Sequence, residues 1–194
     1  MPNKNFLKIE NIVITNSVLQ NTRNFNQIIF RNNNFSGSEL NFEQEVHFLE
    51  ISNNLLQNFN FTKISNLQQL IINNNNILSL KQILLPNSLV SLDLSNNNIK
   101  SFDLRELNNL QSLKINSTLI SNINQLLLPI NIEKLEMNNC LLSQLWITHY
   151  TPNLRKIVAL GQVIEQIVCF QQCTVYLDSL AKVVGICNIE ISKQ

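Results

Sequence analysis

The sequence predicts a β-rich α/β solenoid: a right-handed curved array with a parallel sheet on its concave side, and turns, 3₁₀ stretches and extended chain on its convex side. Three observations predict it. An apolar pattern returns at a spacing of about 21 to about 22 residues, the range of solenoid repeats. A small polar side chain, most often asparagine, recurs at one fixed place in that pattern. The period is too short to hold a strand, a long helix and two turns, so the return path has to be mostly extended or 3₁₀.

Seven windows carry the repeat: FNQIIFRNNNF from Phe25, VHFLEISNNLL from Val46, LQQLIINNNNI from Leu67, LVSLDLSNNNI from Leu89, LQSLKINSTLI from Leu110, IEKLEMNNCLL from Ile132 and LRKIVALGQVI from Leu154. In each, the first, fourth, sixth and eleventh positions are apolar. The fourth and sixth point to one side of a short strand while their neighbours face the other, leaving one buried face. The ninth position is where the chain leaves the strand, and backbone N–H and C=O groups there are buried without a sheet partner. A primary amide carries both a donor and an acceptor and can serve both. That column reads Asn33, Asn54, Asn75, Asn97, Thr118, Cys140 and Gln162. In the run Asn73–Asn76 only Asn75 is therefore committed to the interior, and its neighbours are turn residues that tolerate unusual backbone angles.

The windows follow LxxLxLxxNxL, and over roughly residues 25 to 165 the chain resembles the leucine-rich repeat family, in its short 21–22-residue class. The resemblance implies a concave sheet that binds other proteins, and a ninth column that accepts Thr and Cys with fewer hydrogen bonds. Gln162 departs from the column, and with Ala159 in place of a leucine it marks the expected end of the array. Residues 1–24 are expected to be an N-terminal cap or degenerate repeat; IENIVITNSVL from Ile9 fits the motif, but it starts only about 16 residues before Phe25. Residues 166–194, poor in asparagine and richer in Val and Cys, are expected to cap the open end as strand, short helix, strand. The whole is one structural unit.

Composition limits the function. The 14 Lys and Arg nearly balance 13 Asp and Glu for a net charge of +1, so no large field exists to attract nucleic acid or an anionic membrane. The N-terminus lacks the pattern of a secretion signal, and no apolar run reaches the roughly 18 residues a membrane span needs. A cytoplasmic setting is the expectation. The sequons at Asn34, Asn60 and Asn116 carry no weight in a chain this rich in asparagine. Glycines 37, 161 and 185 are isolated, so there is no phosphate loop. His47 and His149 have no Cys or Ser set for nucleophilic catalysis, and no enzyme, cofactor, metal or small-molecule substrate is expected. Cys169, Cys173 and Cys187 leave zinc, a disulfide and inert core thiols open, with inert thiols the expected state.

The candidate site is the concave face. Its fifth-position column includes Ile29, Glu50, Ile71, Asp93, Lys114 and Glu136. Asp93, Lys114 and Glu136 form an alternating charge ladder on neighbouring strands, expected to neutralise itself. Ile29, Phe48 and Ile71 put apolar surface on three successive strands, either open to a partner or covered by the N-terminal segment. With His47 beside them they define a partner-binding site centred on Phe48; the partner is another protein. The rival expectation is a structural subunit buried in a larger assembly, which requires a large apolar convex surface.

Overall fold

The computed structural model describes residues 6–20, 22, 24–35, 45–56, 59–122, 126–147, 150–179 and 181–191; His149 lies outside them. Ten strands form one sheet in sequence order, every neighbouring pair parallel: β1 (Phe6–Glu10), β3 (Gln27–Arg31), β5 (Phe48–Ser52), β7 (Gln69–Ile71), β9 (Ser91–Asp93), β11 (Ser112–Lys114), β13 (Lys134–Glu136), β15 (Lys156–Val158), β17 (Thr174–Leu177) and β19 (Asn188–Ile191). On the return path lie shorter strands: β2 (Val13–Ile14), β4 (Asn34–Phe35), β6 (Phe59–Asn60), β8 (Ile83–Leu84), β10 (Phe102–Asp103), β12 (Leu126–Leu127), β14 (Gln144–Ile147), β16 (Gln166–Cys169) and β18 (Lys182–Gly185). These pair as β2–β4, β6–β8, β10–β12 and β14–β16–β18. One five-residue helix, α1 (Asn16–Gln20), and a 3₁₀ turn at Leu80–Gln82 complete the elements. The molecule is a parallel solenoid with the concave sheet and almost helix-free convex side that the repeat pattern requires.

The core is the stack of the four apolar columns. Every residue of those columns is buried except Phe25 and Phe35, which pack half-buried against the rest. Leu49, Ile51, Leu70, Ile72, Leu92 and Leu94 are completely excluded from water, each burial stabilising by about 1.5–3 kcal/mol before entropy is counted. Near the N-terminal end, Phe35 meets Phe30 and Phe59 edge-on at 5.6 and 6.4 Å, and Phe59 stacks on Phe61 at 4.3 Å.

The ninth-position side chains tie each coil to the one before. The carbonyl Oδ1 of Asn75 accepts the N–H groups of Asn54 (3.2 Å) and Leu56 (3.3 Å), while its Nδ2 donates to Ile51 O (2.6 Å) and Asn73 O (3.0 Å). Asn97 repeats the arrangement one coil on, Asn54 one coil back, and Asn33 reaches Ile12 N and Ile9 O. Thr118 donates to Ile115 O in its own coil at 2.9 Å, and the Cys140 thiol donates to the same carbonyl at 3.2 Å. The residue just before each ladder position turns left-handed: Asn32, Asn53, Asn74, Asn96, Ser117 and Asn139 have φ between 52° and 56°. Asparagine is the non-glycine side chain best suited to that region, which explains half of each asparagine pair. In the seventh coil the position falls to Gly161 (φ 71°), where any Cβ would meet Asn139 Oδ1 at 1.7 Å.

The ends differ from expectation in three ways. At the N-terminus, Phe6–Glu10 pairs with Gln27–Arg31 one full repeat away, so the first coil is set by Leu7 and Ile9 rather than by a window starting at Ile9. Asn11, with φ 58°, takes its left-handed turn, and Ile12 occupies the ladder column. At the other end, Gln162 does not terminate the array. Its Nε2 donates to Met137 O at 3.0 Å, a carbonyl one coil back, so a longer amide fills the donor half of the role, while its buried Oε1 has no partner among the described residues. The sheet then continues through β17 and β19 in progressively tighter coils, with Thr174 facing Lys156 and Asn188 facing Thr174. The expected strand, helix, strand cap is instead four strands, with no helix among the described residues of that stretch. Coils this short have no length to spare for a helical turn.

The cysteines also depart from the expected inert state. Cys169 and Cys187 form a disulfide across a sequence separation of 18, joining the end of β16 to the link between β18 and β19. Cys140 and Cys173 are free and buried. Burial pushes the Cys173 thiol up to about 11, so it stays protonated at neutral pH and is a poor nucleophile. Among the described residues no His, Cys, Asp and Glu cluster could hold a metal ion, and no helix is long and apolar enough to cross a membrane.

Candidate partner-binding face

The concave face is built from the third and fifth positions of successive strands, which the parallel register sets side by side. Phe48 on β5 lies between Gln27 on β3 and Gln69 on β7, and Glu50 lies between Ile29 and Ile71. Ile29, Phe48 and Ile71 are all half-buried. They do not stand proud as three open side chains, because flanking strands on both sides shield their stems. The described N-terminal residues do not fold over them: Phe6–Glu10 adds an edge strand to the sheet and sets Lys8 beside Ile29.

Glu50 is 6% exposed, and its carboxylate is already engaged. Arg31 Nη2 donates to Oε2 at 2.8 Å, while Arg31 Nε and the Ser52 hydroxyl both donate to Oε1. Burial pushes the Glu50 carboxyl up, but the hydrogen bonds from Arg31 and Ser52 and the charges of Arg31 and Lys8 outweigh it, leaving the group below the usual carboxylate range. Glu50 therefore holds the face together rather than offering a free charge. His47 is half-buried at the strand entrance, its backbone N–H on Asn26 O at 2.8 Å. Among the described residues, its buried Nδ1 has no hydrogen-bond partner.

Towards the C-terminal half the charges do not form the simple alternating ladder. Lys114 reaches Glu136 at 3.2 Å, but the second cation on Glu136 is Lys134, at 2.5 Å on the same strand. Asp93 turns onto its own bend and accepts Ser95 N–H at 2.9 Å. Burial raises the Glu136 carboxyl, and hydrogen bonds from Lys134 and Lys114 outweigh that and lower it. With both lysines about two-fifths exposed, each pair contributes about 0–1 kcal/mol. One strand further, the Lys156 ammonium stands 4.6 Å above the Tyr176 ring.

Two further amide rows escaped the repeat pattern. At the seventh position Ser95 Oγ accepts Asn116 N–H (3.2 Å), Asn116 Oδ1 accepts Asn138 N–H (2.8 Å), and Asn138 Oδ1 accepts Leu160 N–H (2.8 Å). At the bend before the strands, the Nδ2 groups of Asn109 and Asn131 donate to Asn87 O and Asn108 O, both at 2.8 Å, and Asn153 Nδ2 donates to Asn131 Oδ1 at 3.0 Å. The signal was present in the sequence as columns of asparagine one repeat apart, outside the column the motif highlights. Together the rows tie successive coils at both ends of strands β9 to β15.

No protein-family model matches the chain, and no curated protein is similar to it. Among solved structures, an internalin from Listeria monocytogenes is similar at 13% sequence identity with a TM-score of 0.39, over 93% of this chain and 72% of that one. At that distance the likeness says nothing about function. What the chain's own geometry establishes, through parallel strands one repeat apart and side-chain amides bridging successive coils, is a leucine-rich-repeat-like solenoid.

Proposed function

We propose that the chain is a short-class leucine-rich repeat protein that works as an interaction scaffold, holding a partner protein on its concave face around Phe48. Residues 25–165 supply the seven repeats, and the segments before and after act as closing coils. The observation that supports this most is the half-buried row of Ile29, Phe48 and Ile71 on neighbouring strands, framed by Gln27 and Gln69 and held flat by the Arg31–Glu50 pair. A rigid apolar centre with a polar frame is the anatomy of a protein-binding surface. His47, Asp93, Lys114 and Glu136 extend the surface as its rim, and neither nucleic acid, membrane, cofactor nor small-molecule substrate is part of this function. Capture of partners from the native cell by wild type and by Phe48→Glu tests the placement. A loss of at least about tenfold in captured partner is expected. Equal capture by a folded variant refutes it.

A second reading, a subunit lodged permanently in a larger assembly, is favoured by one observation. Leu119, Leu141 and Val163 occupy the same position of three successive coils at 40%, 61% and 71% exposure, an apolar row away from the sheet face. Replacing all three by Gln separates the readings: a scaffold still captures its partner, whereas an assembly subunit loses its neighbours. The proposed cytoplasmic setting and the Cys169–Cys187 disulfide pull apart, because such bonds persist mainly in oxidising compartments. Thiol trapping in intact cells decides between them.

A further inference from the structure

The convex strands fall into four separate sets, leaving three gaps, and one of them is open. Strands β10 and β12 pair with each other, and β14, β16 and β18 form another set, but β12 and β14 do not join. A cavity of about 660 Å³ opens at that gap, lined by Leu126 and Leu127 of β12 and by Leu145, Trp146 and Ile147 of β14. Leu135, Leu145, Ile147 and Ile157 lie beneath it as a closed floor, each no more than 2% exposed, so its open walls are Leu127, Ile130 and Trp146. An apolar space this size is in the range of ligand pockets.

The lining chooses the ligand class. The floor is aliphatic. At the mouth stand Ile130, 53% exposed, and Trp146, 46% exposed, with Arg105 and Asn108 on one lip. Arg105 gives its Nε and one Nη to Asp103 at 3.0 and 2.7 Å, and among the described residues its other three N–H donors have no partner. No carboxylate is among the described residues lining the cavity, and Arg105 is the only cation among them. We infer that the cavity binds a single-chain aliphatic carboxylate, the hydrocarbon tail along Leu127, Ile130 and Trp146 and the carboxylate at Arg105 and Asn108. This binding is separate from the concave face and independent of what that face holds.

Trp146 is the only tryptophan in the chain, so its emission reports this cavity alone. The full-length protein is titrated with 11-bromoundecanoate, whose bromine quenches by contact, and then with octanoate, decanoate and dodecanoate as competitors. Saturable quenching is expected, with affinity rising about fourfold for each methylene, the factor that corresponds to burying one CH₂. Dodecanoate should bind more tightly than 1-dodecanol. Ile130→Glu places a repelling charge at the exposed mouth, where it leaves the core intact, and should weaken binding at least tenfold while the urea midpoint is kept. Quenching that rises linearly like that of free N-acetyltryptophanamide, competition indifferent to chain length, equal binding of the alcohol, or an unaffected Ile130→Glu protein would each overturn the assignment.

Discussion

Replacing Asn75 by alanine removes one side chain and strands three backbone groups. The N–H of Asn54, the N–H of Leu56 and the C=O of Ile51 lose a partner in the dry interior, where Asn75 itself has no exposure; Asn73 O keeps the Asn53 N–H that it already accepts at 3.2 Å. An orphaned buried group costs about 1–3 kcal/mol, and some relief comes from water entering the vacated space. Taking the lower end for three groups gives about 3 kcal/mol, and imperfect relief raises it to about 5 kcal/mol. Urea denaturation followed by circular dichroism measures the loss as a lower midpoint at unchanged slope. The neighbouring Asn74→Gly serves as the contrast. Its exposed side chain is expendable and glycine accepts φ 52° freely, so the change should stay within about 0.5 kcal/mol. If Asn75→Ala costs no more than Asn74→Gly, the Asn75 side chain does not bridge coils.

Other outcomes follow from the same contacts. The Glu50 carboxyl is held below its usual range, so its contribution is present above an unfolded value of about 4.3 and disappears as pH falls through the lower folded value. Glu50→Gln should be less stable than wild type by about 1–2 kcal/mol at pH 7, and the gap should close under acid; a gap independent of pH contradicts the role given to the Arg31–Glu50 pair. In protein denatured without reductant, two thiols should react with a thiol reagent, and all four after reduction, because Cys140 and Cys173 are free while Cys169 and Cys187 are joined. Closing the loop between Cys169 and Cys187 is worth about 3 kcal/mol, so dithiothreitol should lower the urea midpoint, and four reactive thiols without reductant would refute the bond.

The repeating coils were legible because one period set everything: four columns of apolar residues at fixed offsets leave a single arrangement that buries them all. The left-handed turns were legible too, since Asn74 and its equivalents are a side chain suited to a positive φ. What the columns could not show was length in reserve. Gln162 read as an ending because it breaks the motif, yet an amide one methylene longer still reaches Met137 O. The tight coils after Lys156 carry no period to detect, because each closes on fewer residues than the one before. On the concave face, sequence placed Ile29, Phe48 and Ile71 on adjacent strands but not their half-burial, which depends on neighbouring stems. It placed Glu50 on that face without its partners, because nothing in spacing says that Arg31 and Ser52 both point at it. The cavity was invisible for a different reason. It opens between β12 and β14, one of three places where neighbouring convex strands stay unpaired, and no residue pattern tells that gap from the others.

Amide hydrogen exchange at four positions tests the coil-bridging amides most directly. The N–H groups of Asn54, Leu56, Asn75 and Ile77 lie outside the strands and donate to the side-chain oxygens of Asn75 and Asn97, at distances from 3.0 Å to 3.3 Å. They should exchange on the order of a thousandfold or more slowly than unstructured amides, and Asn97→Ala should release Asn75 and Ile77 selectively. Exchange of all four at the rate of open turn amides would contradict the account.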